Sequence, residues 1–290
     1  MNNAIIILNY NDCETTVKLV EIIKDYKKLD KIIIVDNSSI DDSVRKLNSK
    51  FKQDEKIDIL VTNKNLGYSG GNNFGIRYAI DKYNVSYFFV ANPDIMFKED
   101  IIVEIEKVFK ENNDIGILAP KVSKGYNSWK LPTYTKAITS MFLWLSKKFG
   151  NEVYNNQNDG INYVDVVAGS LFAMKTDVYK NIDGLDEETF LYYEENIIGY
   201  KLKNANKKLA ILGNVYYDHC HATSIKKVYK SKVKPFLIIV DSIKIYNRKY
   251  LKIGPMKKLI FNIAFIFALI ERYLYDVYNK IYCYLERRKV

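Results

Sequence analysis

Carboxylates crowd against aromatic rings twice in quick succession: Asp186-Glu187-Glu188, then Tyr192-Tyr193-Glu194-Glu195 just ahead of a helical stretch. Acids in a first helical turn complement the helix dipole, so capping is one use for them. The other use is proton abstraction, because aromatic burial and an adjacent like charge raise a carboxyl pKa toward the working pH of a general base. Asp94 closes Asn92-Pro93-Asp94 at the end of an apolar run. One carboxylate there can share a hard divalent cation with phosphate oxygens, since Mg²⁺ commonly takes only one or two protein carboxylates; the same three residues also make an ordinary strand-ending turn. Asp36 follows the all-apolar Ile32–Val35 and can accept a hydrogen bond from a nucleobase N–H, although Asp-Asn-Ser-Ser also forms an Asx turn or helix cap. Asn65-Leu66-Gly67-Tyr68-Ser69-Gly70-Gly71-Asn72-Asn73-Phe74-Gly75 reads as a loop entering a helix, where missing Cβ atoms let backbone N–H groups approach phosphate or ribose. His219 and His221 are the only two histidines; two residues apart on an extended segment, they point to opposite faces.

These residues need a frame, and the apolar pattern supplies one. Ala4–Leu8, Lys31–Val35, Ile57–Thr62, Tyr87–Asn92 and Ile115–Ala119 are short β-branched or aromatic runs bounded by Asn, Asp, Gly or Pro. Between them Thr15–Tyr26, Ser43–Phe51, Asn72–Lys82 and Glu99–Asn112 carry apolar residues at helical spacing. This alternation implies an α/β fold with a mostly parallel central sheet and helices on both faces. Ligands of such sheets lie beyond the carboxyl ends of the strands, where the sequence places Asn9-Tyr10-Asn11, Asp36-Asn37-Ser38-Ser39, Asn63–Gly67 and Asn92–Asp94. Lys121–Tyr163 breaks the rhythm as a long excursion over the sheet. Val164–Met174 then reads as a strand, Thr176–Asn181 and Glu195–Asn206 as helices, and Leu209–Tyr217 as one or two final strands.

The 290 residues, 48% hydrophobic and 27% charged, exclude wholesale disorder and suffice for one large or two modest domains. Charge is uneven. Residues 225–290 carry 16 Lys/Arg against 4 Asp/Glu, or 16 − 4 = +12, whereas residues 1–224 carry 28 − 30 = −2. Cys13, Cys220 and Cys283 are odd in number and widely spaced, as expected of a reducing compartment. Ala4–Leu8 is too short for a signal-peptide core, so a cytoplasmic site is expected. Two domains follow: a body over 1–224 and a basic amphipathic helical tail over 225–290. Within the tail, Leu259–Ile270 is uncharged for 12 residues, about 18 Å of helix against roughly 30 Å of hydrocarbon. Flanked by Lys257, Lys258, Arg287, Arg288 and Lys289 and carrying Tyr273, Tyr275, Tyr278, Tyr282 and Tyr284, it is expected to lie in the interface of an anionic membrane. Packing on the body, or on a second copy as a homodimer, is the other use of such a helix.

In order, I-V-D-N-S-S, N-L-G-Y-S-G-G-N-N-F-G, N-P-D, G-L-D-E-E-T-F-L-Y-Y-E-E and a His before A-T-S resemble the inverting glycosyltransferases of family 2, and among them the bacterial rhamnosyltransferase-like branch. The resemblance covers roughly residues 3–224 and implies the GT-A nucleotide-sugar-binding fold. It implies that Asn9 and Asn11 border the nucleotide, that Asp36 reads the pyrimidine N3–H, and that Asn65, Gly67 and Asn73 line the nucleoside and diphosphate. It further implies Asp94 as the retained carboxylate of the family's metal motif, His219 as a metal ligand with His221 as its alternative, and Glu195 as the base with Glu194 preceding it. Two departures stand out: Glu rather than Asp at the base position, and Ile197 where an acid is usual.

The expected cofactor is Mg²⁺ or Mn²⁺ and the expected donor dTDP-rhamnose or a UDP-sugar. The acceptor is a saccharide or polyprenyl-linked saccharide of cell-surface polysaccharide synthesis at the inner face of the membrane; no nucleic-acid partner is expected. A sugar nucleotidyltransferase would want a glycine-rich, lysine-bearing loop after the first strand, where Asn9-Tyr10-Asn11-Asp12 stands. A catalytically idle, nucleotide-sugar-binding partner subunit would have no need for Asp94, Glu194, Glu195 and His219 together.

Overall fold

A computed structural model describes residues 2–148, 152–154, 158–220 and 233–287, with side chains to residue 279. His221 and the side chains of Tyr282, Cys283 and Tyr284 lie outside the described residues.

The first strand, β1 (Asn3–Asn9), pairs in parallel with β2 (Lys31–Asp36) on one side and β4 (Tyr87–Ala91) on the other, and β3 (Ile57–Val61) extends the sheet beyond β2. Beyond β4 come β10 (Leu171–Lys175), β6 (Ile115–Val122), β11 (Lys208–His219) and β5 (Ile95–Met96), with β8 (Ile161–Val164) also on β11. β1, β2, β3, β4, β6 and β11 run one way; β5, β8 and β10 run the other. Both faces are covered, as the continuous apolar strands require. Ile5, Ile7, Ile32 and Ile34 face α1 (Cys13–Ile23), α2 (Ser43–Phe51) and α4 (Asp100–Glu111), whereas Ala4, Ile6, Ile33 and Val35 face α3 (Gly67–Tyr83), α7 (Thr176–Asn181) and α8 (Glu194–Asn204). Each fully buried isoleucine contributes about 1.5–3 kcal/mol, and a one-residue slip would exchange the two faces. The helices present matching stripes: Thr16, Leu19, Val20 and Ile23 on α1, and Ile101, Ile102, Ile105, Val108 and Phe109 on α4, are buried.

Three elements differ from the sequence expectation. Helix α3 begins at Gly67 rather than Asn72, so most of the glycine-rich segment is helix. Its glycines serve packing: a Cβ on Gly71 would lie 2.4 Å from Leu8 Cδ1, and one on Gly75 would lie 2.6 Å from Val35 Cγ2. The run 164–174 is not one strand; it breaks into β9 (Val166–Val167), paired with β7 (Ser128–Trp129), and β10. The excursion is also divided. Residues 132–152 form a compact unit with Thr223–Val290, while Met1–Leu131 and Val153–Ala222 form the other.

In the smaller unit α5 (Tyr134–Thr139) and α6 (Leu143–Lys148) accompany α9 (Val233–Ile245), a π-helical turn at Tyr246–Tyr250, and the 33-residue α10 (Pro255–Arg287). Glu271 on α10 accepts the Leu143 N–H at 2.8 Å, and Tyr134 donates to Lys257 O at 2.5 Å. Arg272 is buried over the Phe236 ring, 3.6 Å from its centroid. Leu259, Ile260, Ile263, Ile266, Phe267 and Ile270 remain exposed. Among the described residues, no helix is long and apolar enough to cross a membrane.

Candidate active site

At the carboxyl ends of β1 and β2 the parallel register sets Asn9 beside Asp36, both fully buried. Asn9 Nδ2 donates to Asp36 Oδ2 at 2.8 Å, Ser39 N–H donates to Asp36 Oδ1 at 2.8 Å, and Thr16 Oγ1 donates to Asn9 Oδ1 at 2.8 Å. Asn11, exposed and at φ 53°, joins the cluster: its N–H donates to Ser39 Oγ and its Oδ1 accepts from Ile40 N–H. The left-handed conformations of Asn11 and Ser38 (φ 63°) turn the chain away from each strand end, and Asn tolerates such a conformation better than most residues. The Asx-turn reading of Asp36 is thus present in the structure; each carboxylate oxygen keeps lone-pair capacity beyond its one protein donor.

Asn37, one residue on, ties this cluster to the head of α3. Its Nδ2 donates to Asn65 Oδ1 and Gly67 O, both at 3.0 Å, and its Oδ1 accepts from Leu66 N–H at 2.9 Å. Gly67 itself is buried and left-handed (φ 72°), with an imagined Cβ only 2.2 Å from Phe190 O. Glycine is required there by both conformation and space. Tyr68 N–H donates to the same Phe190 carbonyl at 2.8 Å, so the head of α3 holds the acidic loop through main chain at this point. Asn73 stands apart from the strand ends. Its Nδ2 donates to Leu185 O and Glu187 Oε1, and its Oδ1 accepts from Tyr179 Oη and Leu185 N–H; three of these hydrogen bonds pin the 185–187 segment and the fourth reaches α7.

The acids gather at the other strand ends. Pairing of β5 with β11 opposes His219 to Ile95, which brings His219 Nε2 to 3.4 Å from Asp94 Oδ1, the two side chains only 16% and 15% exposed. Beyond them Tyr217 Oη lies 2.7 Å from Ser170 Oγ, both residues buried. Glu194 and Glu195 open α8 after two consecutive left-handed residues, Tyr192 (φ 69°) and Tyr193 (φ 71°). Non-glycine residues in that region cost of order 1–3 kcal/mol each and cluster at ligand clamps and active sites. Glu195 Oε1 accepts the Gly169 N–H at 3.3 Å, and Gly169 O in turn accepts from Tyr68 Oη at 2.6 Å.

Burial pushes the Glu194 carboxyl well above the usual range, and the Glu195 charge pushes it further; its Oε2 is buried with no hydrogen-bond partner among the described residues. Burial also raises Glu195, opposed by backbone N–H groups including that of Gly169. Tyr68 is held well above its ordinary value by burial and then by the charges of Glu195 and Glu194, so it remains a proton donor to Gly169. The arrangement offers two adjacent carboxyls whose pKa values burial raises, Glu194 the more strongly, and a carboxylate–imidazole pair.

For a divalent cation, Asp94 and His219 fit as two adjacent donors, the number Mg²⁺ sites commonly take from protein when phosphate supplies the rest. Among the described residues, no cluster of three or more His, Cys, Asp or Glu is placed to hold a metal. Tyr68, Gly169, Ser170 and Tyr217 join the site without having been assigned from sequence. Tyr68 lies in the glycine-rich segment, and Gly169 and Ser170 interrupt the apolar run 164–174.

Three comparisons bear on this geometry. Residues 4–183 match the model of glycosyl transferase family 2. The chain is 29% identical over 208 residues to the low-salt glycan biosynthesis hexosyltransferase Agl10 of Haloferax volcanii, covering 70% of this chain and 62% of that protein. To the rhamnosyltransferase WbbL of Escherichia coli it is 26% identical over 183 residues, covering 58% of this chain and 67% of that protein. Among solved structures, the mannosyltransferase PcManGT of Pyrobaculum calidifontis, in complex with GDP-Man and Mn²⁺, aligns over 94% of this chain and 73% of its own, with a TM-score of 0.56 at 12% identity. That likeness is one of fold, and the fold is GT-A.

Proposed function

The chain belongs to glycosyltransferase family 2, and on that premise we propose that it transfers a sugar from a nucleoside-diphosphate donor to a saccharide or polyprenyl-linked saccharide, with inversion at the anomeric carbon. The observation that supports this best is the Glu194–Glu195 pair, desolvated at the head of α8 with Glu195 tied to Gly169, while Asp94 and His219 pair at the strand ends. In this reading Glu195 takes the proton from the acceptor hydroxyl as its oxygen bonds to the anomeric carbon, and the bond from that carbon to the diphosphate breaks with its electron pair. The Gly169 N–H fixes one oxygen of Glu195, leaving the other to face the acceptor. Burial and the Glu195 charge push the Glu194 carboxyl upward, which favours its neutral form and limits the negative charge at the acceptor end. Asp36 receives the N3–H of a pyrimidine, and its bonds to Asn9 and Ser39 hold it in place for that contact. Asp94 and His219 would hold the Mg²⁺ or Mn²⁺ that offsets charge on the departing diphosphate.

The rhamnosyl donor dTDP-rhamnose is the first choice, on the likeness to WbbL, and a UDP-hexose the second, on the likeness to a hexosyltransferase. The test is a thermal-shift panel of sugar nucleotides and nucleoside diphosphates with and without Mn²⁺, because a ligand of the folded state raises Tm. A Mn²⁺-dependent rise with the preferred diphosphate that Asp94→Asn abolishes supports the assignment; a rise that survives the substitution removes Asp94 from it.

The basic tail 225–290 belongs to this reading as the membrane contact. The exposed apolar row on α10 and the two lysines at its start support a helix lying in the interface, each Lys or Arg adding about 1 kcal/mol at an anionic surface. Full-length protein should co-sediment with anionic vesicles, less so at high salt, and the quadruple reversal Lys257→Glu, Lys258→Glu, Arg287→Glu and Arg288→Glu should not. Equal sedimentation of the two would assign the row to a homodimer or to packing within the chain.

A further inference from the structure

At the amino end of β4, opposite the carboxylates, lies a cleft of about 530 Å³ lined by three lysines, Lys110, Lys175 and Lys180, against a single acid, Asp177. We propose that it binds a small phosphate-bearing anion from free solution, as a site separate from the donor site. The sheet register creates it: antiparallel β10 ends at Lys175 opposite Tyr87, where β4 begins, so the lysine emerges among the ends of α3 and α4 and the start of α7. Counted along β10, Gly169 beside Glu195 is six residues away, roughly 20 Å at 3.3 Å per residue, too far for one ligand to touch both.

Lys175 is the feature that points to a ligand. It is only 7% exposed, and lysines so deeply buried are almost always paired. Its ammonium donates to Asn112 O at 2.8 Å and lies 5.2 Å from the centre of the Phe109 ring; no carboxylate lies within ion-pair distance of it among the described residues. An ammonium has three N–H donors, so two remain for an occupant of the cleft. Burial accordingly lowers its pKa, Lys207 adds to that, and Asp177 and the more weakly acting Asp114 only partly restore it; a bound anion would reverse that cost. Lys180 is exposed and has no ion pair among the described residues, while Lys110 pairs with Glu106. The Asp177 carboxylate is engaged by the Val178 N–H. Three ammonium groups around one concavity suit the several acceptor oxygens of a phosphate, which lysine binds as a point charge. A concave site of this size on a body whose net charge is −2 fits a small solute and not a nucleic-acid backbone.

The probe is inorganic pyrophosphate, titrated calorimetrically into full-length protein at low ionic strength with EDTA present, so that no divalent cation can recruit it to Asp94. Saturable binding at one site is expected. Lys175→Met, which keeps the bulk of the stem, and Lys180→Ala, at an exposed position, should each weaken it at least about tenfold, the scale of a lost charge-assisted hydrogen bond. Asp94→Asn should leave it unchanged, which keeps the outcome independent of the glycosyltransferase reading. Absence of binding, equal affinity in both lysine variants with unaltered Tm, or loss on Asp94→Asn would overturn the proposal. Vesicles carrying phosphatidic acid form the last arm: undiminished pyrophosphate affinity in their presence agrees with a free anion, and displacement by them would overturn that assignment in favour of a lipid headgroup.

Discussion

The two ends of the candidate site handle buried polarity in opposite ways. Around β1 and β2, Asn9, Thr16, Asp36 and Ser39 are locked into mutual hydrogen bonds of 2.8–3.3 Å. Around α8, Glu194 is also buried yet keeps an oxygen without a partner among the described residues, beside a second acid and behind two left-handed tyrosines. The first arrangement is self-satisfied, its parts stabilising one another without a ligand. The second holds unfavourable electrostatics that only the surrounding packing sustains, which is the usual condition of a group tuned to exchange protons. A transferase needs both: fixed contacts for the part of the donor that does not react, and a perturbed acid where it does.

The sharpest way to break this contrast is Glu195→Gln, which should retain donor binding and lower transfer by at least about a hundredfold, measured as kcat beside the donor Kd. Wild-type transfer should fall on acidification through a pKa above the ordinary 4.5 of a glutamate, because burial raises this group. A larger loss in Glu194→Gln than in Glu195→Gln would move the base by one residue.

Gly67→Ala attacks the main-chain grip between the two regions. The positive φ costs about 1–2 kcal/mol for any L side chain, and contact with Phe190 O adds to it. Gly125→Ala is the control, with φ 89° and nothing within 4 Å of the new Cβ among the described residues. Chemical denaturation should show Gly67→Ala as the costlier of the two; parity would mean the grip contributes nothing.

Asn9→Ala should cost about 1–3 kcal/mol, because it orphans acceptors and donors on Asp36 and Thr16 that stay buried, again read by denaturation. The smallest effect is of opposite sign. Glu194 binds its proton more tightly folded than unfolded, so between about pH 4.5 and its raised folded pKa stability falls as pH rises. Glu194→Gln should therefore raise Tm at neutral pH, with the gain shrinking as pH falls toward 4.5. A Tm lowered at pH 7 would place Glu194 in the first, satisfied class.

Much of the receptor half was legible because it is local: Asp36 and Asn9 end unbroken apolar strands, and the parallel register that joins them follows from the βα alternation. The head of α3 was misread for a physical reason. Gly71 and Gly75 look like loop residues by propensity, but tertiary packing on Leu8 and Val35 outweighs propensity and demands positions without Cβ. The reactive half was legible only as a crowd of acids. The contacts that define it, Tyr68 with Gly169 and Ser170 with Tyr217, join residues 101 and 47 positions apart, and no periodicity encodes such pairings. The same holds for residues 132–152, whose apolar patch belongs with helices a hundred residues onward.

Strand β10 lies between β4 and β6 in the sheet although it is made long after both. On the ribosome, β6 is complete at Val122, yet its neighbours in the sheet, β10 and β11, arrive only by Lys175 and His219. At about 5–20 residues per second, the wait for β10 alone lasts roughly 3–10 s. Throughout that interval a newborn chain carries an apolar strand with nothing to pair with and a four-stranded β3-β2-β1-β4 sheet open at its β4 edge. Ala91 and Leu171, adjacent in the finished sheet, are eighty residues apart in time, and the candidate active site cannot exist until the gap between them closes.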